Sequence, residues 1–260
     1  IVKKVHVNRY DLRIKVSNEI TSVLNNLKVI AVKRRAKFGI IHFENEYSVV
    51  FHLGMSGRIV IDRETFTPLQ KHDHIAIELC KKNNKNYKLR FSFRDPRRFG
   101  FFNLYKTHSI NYNNLFKALG PEPLADNFSI DNLFNKITKS HSNIKSLLLN
   151  QNIISGLGNI YVCEALFLAG ISPRTKGYSL SLKQIESLYY KIKAVLLKAI
   201  KEGGTSIQDH KKVSGEIGYF QNYLSVYNRE KEKCYNNCKE QIIRFKQNGR
   251  STYYCPKCQK

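Results

Sequence analysis

The sequence is poor in acidic side chains, contains no tryptophan and has no long apolar run. Its 260 residues hold 44 Lys and Arg against only 20 Asp and Glu. No stretch of about 18 consecutive apolar residues occurs, which argues against a membrane-spanning helix. The first residues, IVKKVHVNRYDLR, lack an apolar core followed by a small-residue cleavage site, so they do not read as a secretory signal. We therefore expect a cytosolic protein with no membrane partner.

The shortage of acidic residues leaves a formal net charge of +24. A charge of that size indicates a polyanionic partner, bound with an affinity that falls as salt rises. A membrane surface is the weaker alternative, because the sequence shows no amphipathic anchor helix with a basic face. Part of the excess could equally reflect a lysine-rich source genome. The length fits one or two domains.

Cysteine is scarce except at the C-terminus, where two pairs flank a hairpin pattern. The pairs are Cys234 with Cys238 and Cys255 with Cys258, and both spacings suit structural zinc. Asn248-Gly249 between β-prone residues predicts the turn of a two-stranded hairpin. The alternatives are two disulfides or four free thiols, and disulfides would need an oxidising compartment. We expect one structural Zn²⁺, which four thiolates would leave without an open catalytic position.

The pattern of apolar residues predicts an α+β protein with two main domains. Residues 1–105 carry short Val, Ile, Phe and Tyr runs separated by polar turns, which is typical of an antiparallel β-sandwich. Residues 106–128 read as a linker and 129–228 as a helical domain, in which Ser181 and Gln184 form a capping-box pattern. Residues 229–260 form the zinc-finger hairpin. The expected strands are 29–33, 39–44, 47–53, 58–61, 74–80, 87–93 and 101–105, and the expected helices are 17–26, 129–139, 143–150, 159–169 and the segment after Ser181.

Between two of these helices lies the segment NIISGLGNIY. Gly156 and Gly158 permit a tight turn, and Asn159 opens the next helix. Backbone N–H groups at such a helix start suit phosphate binding. A plain helical hairpin with a glycine turn explains the segment equally well by itself. The net charge and the basic hairpin make DNA binding the better interpretation.

Taken together, the motifs resemble the Fpg/Nei family of base-excision repair enzymes, which includes formamidopyrimidine-DNA glycosylase. The resemblance spans the whole chain and implies a β-sandwich, a helix–two-turn–helix domain, a zinc finger and damaged double-stranded DNA as partner of a monomer. It also implies extrusion of the damaged base from the stack. The matching segments are RRAKF (34–38), HLGMSG (52–57), KHDH (71–74), RDPRRFG (94–100), LGPEPL (119–124), GLGNIY (156–161), EGGTSIQDH (202–210), GYFQNYLSVY (218–227) and the cysteine hairpin.

By this resemblance, Met55, Arg97 and Phe99 are the side chains that fill the space left by the extruded base. Met adapts its shape, Phe can wedge between bases and Arg can hydrogen-bond the orphaned partner base. Ordinary core packing is the alternative for Met55 and Phe99, but both follow turn sequences. The trio favours the oxidised-purine branch of the family.

The resemblance also implies phosphate contacts and a mobile loop. Two cations, an imidazole and an amide match the family's phosphate-gripping positions, and Lys37 is also expected to assist the chemistry. Lys145 matches another DNA-facing basic position. Residues 206–220 correspond to a loop over the extruded base, although an ordinary surface loop would explain them. The expected phosphate contacts are Lys37, His52, Asn159 and Arg250.

One departure concerns the nucleophile. Family members begin Pro-Glu, and the proline amine attacks the sugar C1′ to form a Schiff base. This sequence begins Ile1-Val2 and has no proline before Pro68, so it aligns from about twenty residues inside the family pattern. It could be a fragment or a misassigned start of an active enzyme, a decayed inactive copy, or a DNA-binding protein that has lost catalysis. A smaller departure is the three-residue spacing of the first cysteine pair, where the family commonly has two.

Three functions are therefore compared. The first is a bifunctional formamidopyrimidine-DNA glycosylase and AP lyase that removes oxidised purines such as 8-oxoguanine. The second is a catalytically silent protein that binds lesions or abasic sites. The third is an RNA-binding zinc protein, against which the RDPRRFG and GLGNIY segments argue.

Overall fold

The computed structural model describes residues 1–112, 115–205 and 218–260. The described chain forms two compact units. Unit 1 comprises Ile1–Lys117, and unit 2 comprises Ala118–Thr205 together with Gly218–Lys260.

Unit 1 is built from two antiparallel four-stranded sheets. One sheet has the order β1-β6-β7-β5 and the other β2-β3-β4-β8. The short helix α1 (Ile20–Leu24) precedes β2. The strands are β1 (Val2–Val7), β2 (Val29–Arg35), β3 (Phe38–Phe43), β4 (Tyr47–His52), β5 (Arg58–Arg63), β6 (Asp73–Lys81), β7 (Asn84–Arg94) and β8 (Phe101–Lys106).

The core of unit 1 lies between these sheets. Val49 of β4 and Phe102 of β8 come from one sheet, Ile77 of β6 and Phe93 of β7 from the other, and all four are buried in one apolar cluster. Successive side chains of a strand point to opposite faces of the sheet, so each sheet buries the face that carries this cluster. The predicted sandwich is therefore confirmed.

Strand β1 is absent from our sequence prediction. Val2–Val7 pairs with β6 in antiparallel register, from Val2 opposite Leu79 to Val7 opposite Ile75. Lysines interrupt its apolar pattern, and its partner lies some seventy residues away, so the segment gives only a weak local signal.

Unit 2 contains the longer helices. They are α2 (Ile130–Thr138), α3 (Ile144–Leu149), α4 (Asn159–Leu168) and α5 (Leu182–Lys201). Side chains of Ser129, Asn143 and Ser181 cap the starts of α2, α3 and α5, and Gln184 completes the predicted capping box at α5. These caps satisfy backbone N–H groups that a helix start leaves unpaired. The helices thus begin within one residue of where the sequence predicts.

A hairpin completes unit 2. Strands β9 (Ile243–Gln247) and β10 (Arg250–Tyr254) pair antiparallel, and Asn248 and Gly249 both have positive φ, 49° and 75°, as the predicted turn requires. Tyr253 packs with Cys163 and Phe167 of α4 in one buried cluster. The hairpin is therefore fixed to the helix.

The two-domain α+β class is confirmed by this architecture. The finer division into 1–105, 106–128, 129–228 and 229–260 stays a prediction. Among the described helices, none is long and apolar enough to cross a membrane.

Candidate nucleic-acid interface and metal centre

Two loops of unit 1 bring together the predicted trio. One loop follows β4 and holds Met55, and the other follows β7 and holds Arg97 and Phe99. Gly54 has φ of 64°, and a Cβ there would lie 2.5 Å from the Gly100 backbone nitrogen. The close backbone approach of the two loops thus requires glycine.

A buried carboxylate connects these two loops. Asp95 is fully buried, and its side chain accepts hydrogen bonds from the Ser56 hydroxyl at 2.6 Å and the Gly100 N–H at 2.8 Å. The Arg97 N–H donates to Ser56 Oγ at 3.2 Å. One serine and one aspartate therefore connect the Met55 loop to the Arg97–Phe99 loop.

The trio itself is exposed. Met55 is 56% exposed and Phe99 45%, which excludes core packing as the role of either side chain in unit 1. The Arg97 guanidinium carbon lies 4.6 Å from the centre of the Phe99 ring, a cation–π arrangement. These side chains can therefore meet a ligand without moving out of a core.

His52 lies at the end of β4, beside the Met55 loop. Its Nδ1 accepts the Gly54 N–H at 2.9 Å, so the neutral ring carries its proton on Nε2. Burial, followed by the charges of Lys37 and Arg13, lowers the pKa of His52 to about 4. Lys37 itself is exposed in the β2–β3 turn. At neutral pH His52 is thus an uncharged hydrogen-bond donor next to a cation.

His74 of strand β6 contacts the backbone of the loop that holds Arg97 and Phe99. It is buried, and its Nε2 lies 2.7 Å from the Asp95 carbonyl oxygen. The ring thereby supports the backbone of the residue that joins the two loops.

In unit 2, the turn between α3 and α4 carries a separate group of predicted residues. Gly156 has φ of 92°, and its N–H donates to Gln151 Oε1 at 2.9 Å. The start of α4, at Gly158, has no side-chain cap. Uncapped N–H groups at a helix start attract anions. The predicted helix–two-turn–helix geometry is present, with a helix start suited to a phosphate.

The Ser251 carbonyl oxygen of β10 joins this turn to the hairpin. It accepts hydrogen bonds from Asn159 Nδ2 at 2.9 Å and from Lys145 Nζ at 3.0 Å. Asn159 Oδ1 is buried without a partner in the described part of the chain. Arg250, the residue before Ser251, is exposed. Lys145 and Asn159 therefore both contact strand β10, on which Arg250 lies, although the three were predicted from separate segments.

Lys145 differs from its prediction as a DNA-facing cation. It is only 1% exposed, and its ammonium also donates to Thr252 Oγ1 at 2.6 Å. Burial, together with the neighbouring Arg250, lowers the pKa of Lys145. The side chain turns inward because two acceptors on β10 lie within its reach. In this structure Lys145 connects α3 to the hairpin instead of facing solvent.

The four C-terminal cysteines form one cluster. Their sulfur atoms all lie within 4.8 Å of one another, with Cys234 to Cys258 at 3.8 Å and Cys238 to Cys255 at 3.5 Å. A Zn²⁺ tetrahedron with bonds of about 2.3 Å has sulfur–sulfur edges of about 3.8 Å. The sulfurs are too far apart for disulfides, whose bond is about 2.05 Å. The donor set therefore fits a tetrahedral metal ion.

The protonation of these thiols is uneven. Burial raises the pKa of Cys234 to about 12, while the backbone N–H of Glu240 lowers the pKa of Cys238 to about 7. The three residues between the first pair are accommodated by Asn237, whose φ is 52°. Cys80 and Cys163 are separate buried thiols.

The structure adds residues that the sequence did not single out. Ser56 and Asp95 lie inside recognised motifs, but only the fold shows that they face each other. Glu164 is buried in the apolar helix α4, and its carboxylate accepts the N–H groups of Ser225, Val226 and Tyr227 at 2.7 to 3.0 Å. The sequence signal that could have identified Glu164 is a single acidic residue within an otherwise apolar helix. Most of the predicted loop 206–220 lies outside the described residues.

Known proteins match the chain along its length. Residues 1–102 match the formamidopyrimidine-DNA glycosylase N-terminal domain, and residues 119–211 match the formamidopyrimidine-DNA glycosylase H2TH domain. The formamidopyrimidine-DNA glycosylase of Erythrobacter litoralis is 40% identical over 259 residues, covering 100% of this chain and 92% of the relative. That of Zymomonas mobilis is 41% identical over 256 residues, covering 98% and 91%.

Solved structures agree with these relatives. Lactococcus lactis Fpg in complex with abasic-site DNA superposes with a TM-score of 0.89 at 31% identity, covering 100% of this chain and 92% of the other. MutM in complex with DNA containing carbocyclic 8-oxo-G gives a TM-score of 0.88 at 32% identity, with the same coverage.

Proposed function

Because the chain belongs to the formamidopyrimidine-DNA glycosylase family, we propose that it binds damaged double-stranded DNA and removes oxidised purines, including 8-oxoguanine and formamidopyrimidines. We further propose that it acts as a bifunctional glycosylase and AP lyase. The observation that carries the proposal is the exposed trio on two loops joined by Asp95.

The trio supports a role in filling the space of an extruded base. An exposed Met55 has the flexibility to follow the shape of the gap, and Phe99 presents a flat ring that can enter between neighbouring bases. Arg97 stacks on Phe99 and keeps its donors available for an orphaned base. Extrusion costs a few kcal/mol, so preordered filling residues favour it.

Phosphate contacts are proposed for the remaining residues. Arg250 offers an exposed guanidinium, and the uncapped start of α4 beside Asn159 offers backbone donors. His52 offers its Nε2–H. Because the ring is uncharged at neutral pH, this contact to a phosphate is a neutral hydrogen bond. Lys145 takes part by holding β10 against α3. Phosphate contacts fix position and carry no sequence preference.

The chemistry proposed for the family's activity uses an amine at the sugar C1′. A new C–N bond forms there as the base leaves with the glycosidic electron pair, and the sugar ring then opens to a Schiff base. Of this chain's own residues, Lys37 is the one proposed to assist at the extruded nucleotide.

One Zn²⁺ is proposed at Cys234, Cys238, Cys255 and Cys258. The ion would supply four bonds that fix the hairpin base and no reaction chemistry, because four thiolates complete its coordination. A reducing compartment such as the cytosol, which we also propose, keeps these thiols available.

Borohydride trapping on an 8-oxoguanine duplex tests the proposal, with an undamaged guanine duplex as control. Borohydride reduces a Schiff base to a stable amine, so an active chain becomes covalently attached to the damaged strand only. Lys37→Ala should lower the yield, whereas Lys33→Ala, on the neighbouring strand β2, should not.

Binding to an abasic-site analogue is measured in parallel. Tight binding without an adduct would favour the alternative, a catalytically silent lesion-binding protein. The same weak affinity for damaged and undamaged duplexes would contradict both functions.

A further inference from the structure

The loop that holds Arg97 and Phe99 is fixed at both ends and exposed in between. Asp95 and Gly100 are buried, whereas the four residues between them are exposed. The Asp95 N–H donates to the His72 carbonyl at 3.1 Å, and the Asp95 side chain accepts the Gly100 N–H at 2.8 Å. A fixed base under an exposed apex therefore orders the loop before any ligand arrives.

The apex of this loop is a tight turn with a left-handed residue. The Arg98 N–H donates to the Asp95 carbonyl at 3.3 Å, and Arg98 has φ of 59°. A non-glycine residue in the left-handed region costs free energy and persists where surrounding contacts impose it. The turn places the Arg97 guanidinium carbon 4.6 Å from the centre of the Phe99 ring. The geometry of the apex thus depends on the contacts at its base.

The Ser56 hydroxyl connects this apex to the neighbouring loop. It donates to Asp95 Oδ1 at 2.6 Å, and its oxygen accepts the Arg97 N–H at 3.2 Å. Ser56 directly follows Met55 in the chain, so a single oxygen atom ties the Met55 loop to the backbone of Arg97. Movement of one loop relative to the other would break one or both of these hydrogen bonds.

Ser56 lies beneath the exposed side chains. Its residue is only 6% exposed, and Asp95 is fully buried, whereas Met55 and Phe99 are about half exposed. A ligand that meets the trio therefore reaches neither the Ser56 hydroxyl nor the Asp95 carboxylate. An effect of Ser56 on ligand binding has to act through the positions of the trio.

We propose that Ser56 is a positioning residue that couples Met55 to Arg97 and Phe99, so that the trio enters the space of an extruded base as one unit. This inference rests on the proposed function. Side chains on connected loops share a single ordering cost on binding, whereas side chains on independent loops each add their own. Ser56 thereby strengthens the preference for a duplex with a gap in its stack and leaves the phosphate contacts unchanged.

The preference for damaged DNA tests this role. Fluorescence anisotropy on the zinc-loaded full chain gives one Kd for an abasic-analogue duplex and another for the same duplex undamaged. Ser56→Ala removes both hydrogen bonds and should weaken binding to the abasic analogue roughly tenfold. Binding to the undamaged duplex should stay within about twofold, because phosphate contacts dominate it. Partial unfolding would instead weaken both complexes by the same factor.

Ser48→Ala is the matched control. Ser48 is a fully buried serine of β4, and its hydroxyl lies 2.7 Å from both His42 Nδ1 and Thr107 Oγ1. The substitution therefore removes the same group, with two hydrogen bonds, from the same unit. The ratio of the two Kd values should stay at its native value in Ser48→Ala.

Coupling within the trio tests whether Ser56 joins the loops. In the native chain, Met55→Ala and Phe99→Ala together should weaken abasic-analogue binding roughly fivefold less than the product of their separate effects. On a Ser56→Ala background the two effects should multiply, because each loop then orders by itself. Hydrogen exchange at the Arg97 amide should accelerate about tenfold in Ser56→Ala and stay native in Ser48→Ala.

The outcomes separate the role of Ser56 from the function on which it rests. Equal Kd values for the two duplexes in the native chain would overturn both the proposed function and the positioning role. A native preference that Ser56→Ala leaves intact, or that falls equally in Ser48→Ala, would overturn the positioning role alone. The same holds if the effects of Met55→Ala and Phe99→Ala already multiply in the native chain.

Discussion

At the scale of single residues, neighbours decide which protonation state a side chain holds. His52 is the example with the largest consequence, because its ring packs against both Phe38, at 5.1 Å, and Phe101, at 6.2 Å. Its Nδ1 is already engaged by the Gly54 N–H. A proton added to the ring would have to sit on that occupied nitrogen, in a half-buried position near two cations.

Stability should therefore depend on pH through His52. The pKa of His52 is about 4 in the folded chain against 6.5 for an ordinary histidine, so the unfolded chain binds the proton more readily. The contribution of His52 to the free energy of unfolding is fully present above about pH 6.5. It is lost as the pH falls toward 4, by up to about 3 kcal/mol. Urea denaturation at stepped pH measures this, and His52→Gln should remove that part of the slope. A His52 NMR titration near pH 6.5 would contradict the argument.

At the scale of elements, short contacts fix segments that lack regular structure. Residues 224–227 follow a 3₁₀ turn and pair with no strand of the described ranges, yet Val226 is completely buried. The Glu164 carboxylate substitutes for a strand by accepting three successive N–H groups. This buried acid on α4 therefore positions the segment that leads to the zinc hairpin.

Glu164→Gln should destabilise unit 2 by about 2 to 4 kcal/mol, because an amide offers one acceptor oxygen where the carboxylate offers two. Hydrogen exchange at Ser225, Val226 and Tyr227 should accelerate more than exchange in α5. Glu240→Gln, at an exposed side chain, makes the same chemical change and should leave stability within about 0.5 kcal/mol. Unchanged exchange at the three amides would contradict the role of Glu164.

The hairpin is the element that we expect to depend on a bound metal ion. We expect about one Zn²⁺ per chain by elemental analysis, since four sulfurs within 4.8 Å match a tetrahedral site. Cys258→Ser should lower the zinc content and expose Tyr253 to solvent, because the cysteines and Tyr253 share one buried cluster. Cys80→Ala should retain the metal. A zinc content below about one half per chain would reject the four-ligand site.

At the scale of the whole molecule, net charge controls association. With +24, DNA binding should weaken as salt rises, since bound cations release counterions from the phosphates.

Arg250→Ala tests whether Arg250 contributes a phosphate contact to this salt dependence. Loss of one phosphate contact should reduce the slope of log K against log salt by about 0.9 and weaken binding similarly on all sequences. Lys183→Ala removes the same charge from α5 and should leave the slope almost unchanged. Equal slopes for the native chain and Arg250→Ala, measured by fluorescence anisotropy on an abasic-analogue duplex, would exclude a phosphate contact at Arg250.

The sequence by itself determined the fold class, most element boundaries and the cysteine cluster. Apolar periodicity, the Asn248-Gly249 turn and the caps at Ser129, Asn143 and Ser181 are local signals, readable within a few residues. The family's motifs are equally local, so residues such as Met55 and Arg250 could be named before any coordinates.

Only the tertiary structure decided what depends on distant pairing. Strand β1 forms because β6 supplies its hydrogen bonds, and Asp95 meets Ser56 because two sheets bring their loops together. Lys145 matches a DNA-facing basic position of the family, but acceptors more than a hundred positions away on β10 turn it inward. A local pattern reports what a residue is, whereas burial and hydrogen bonding depend on which distant segment reaches it.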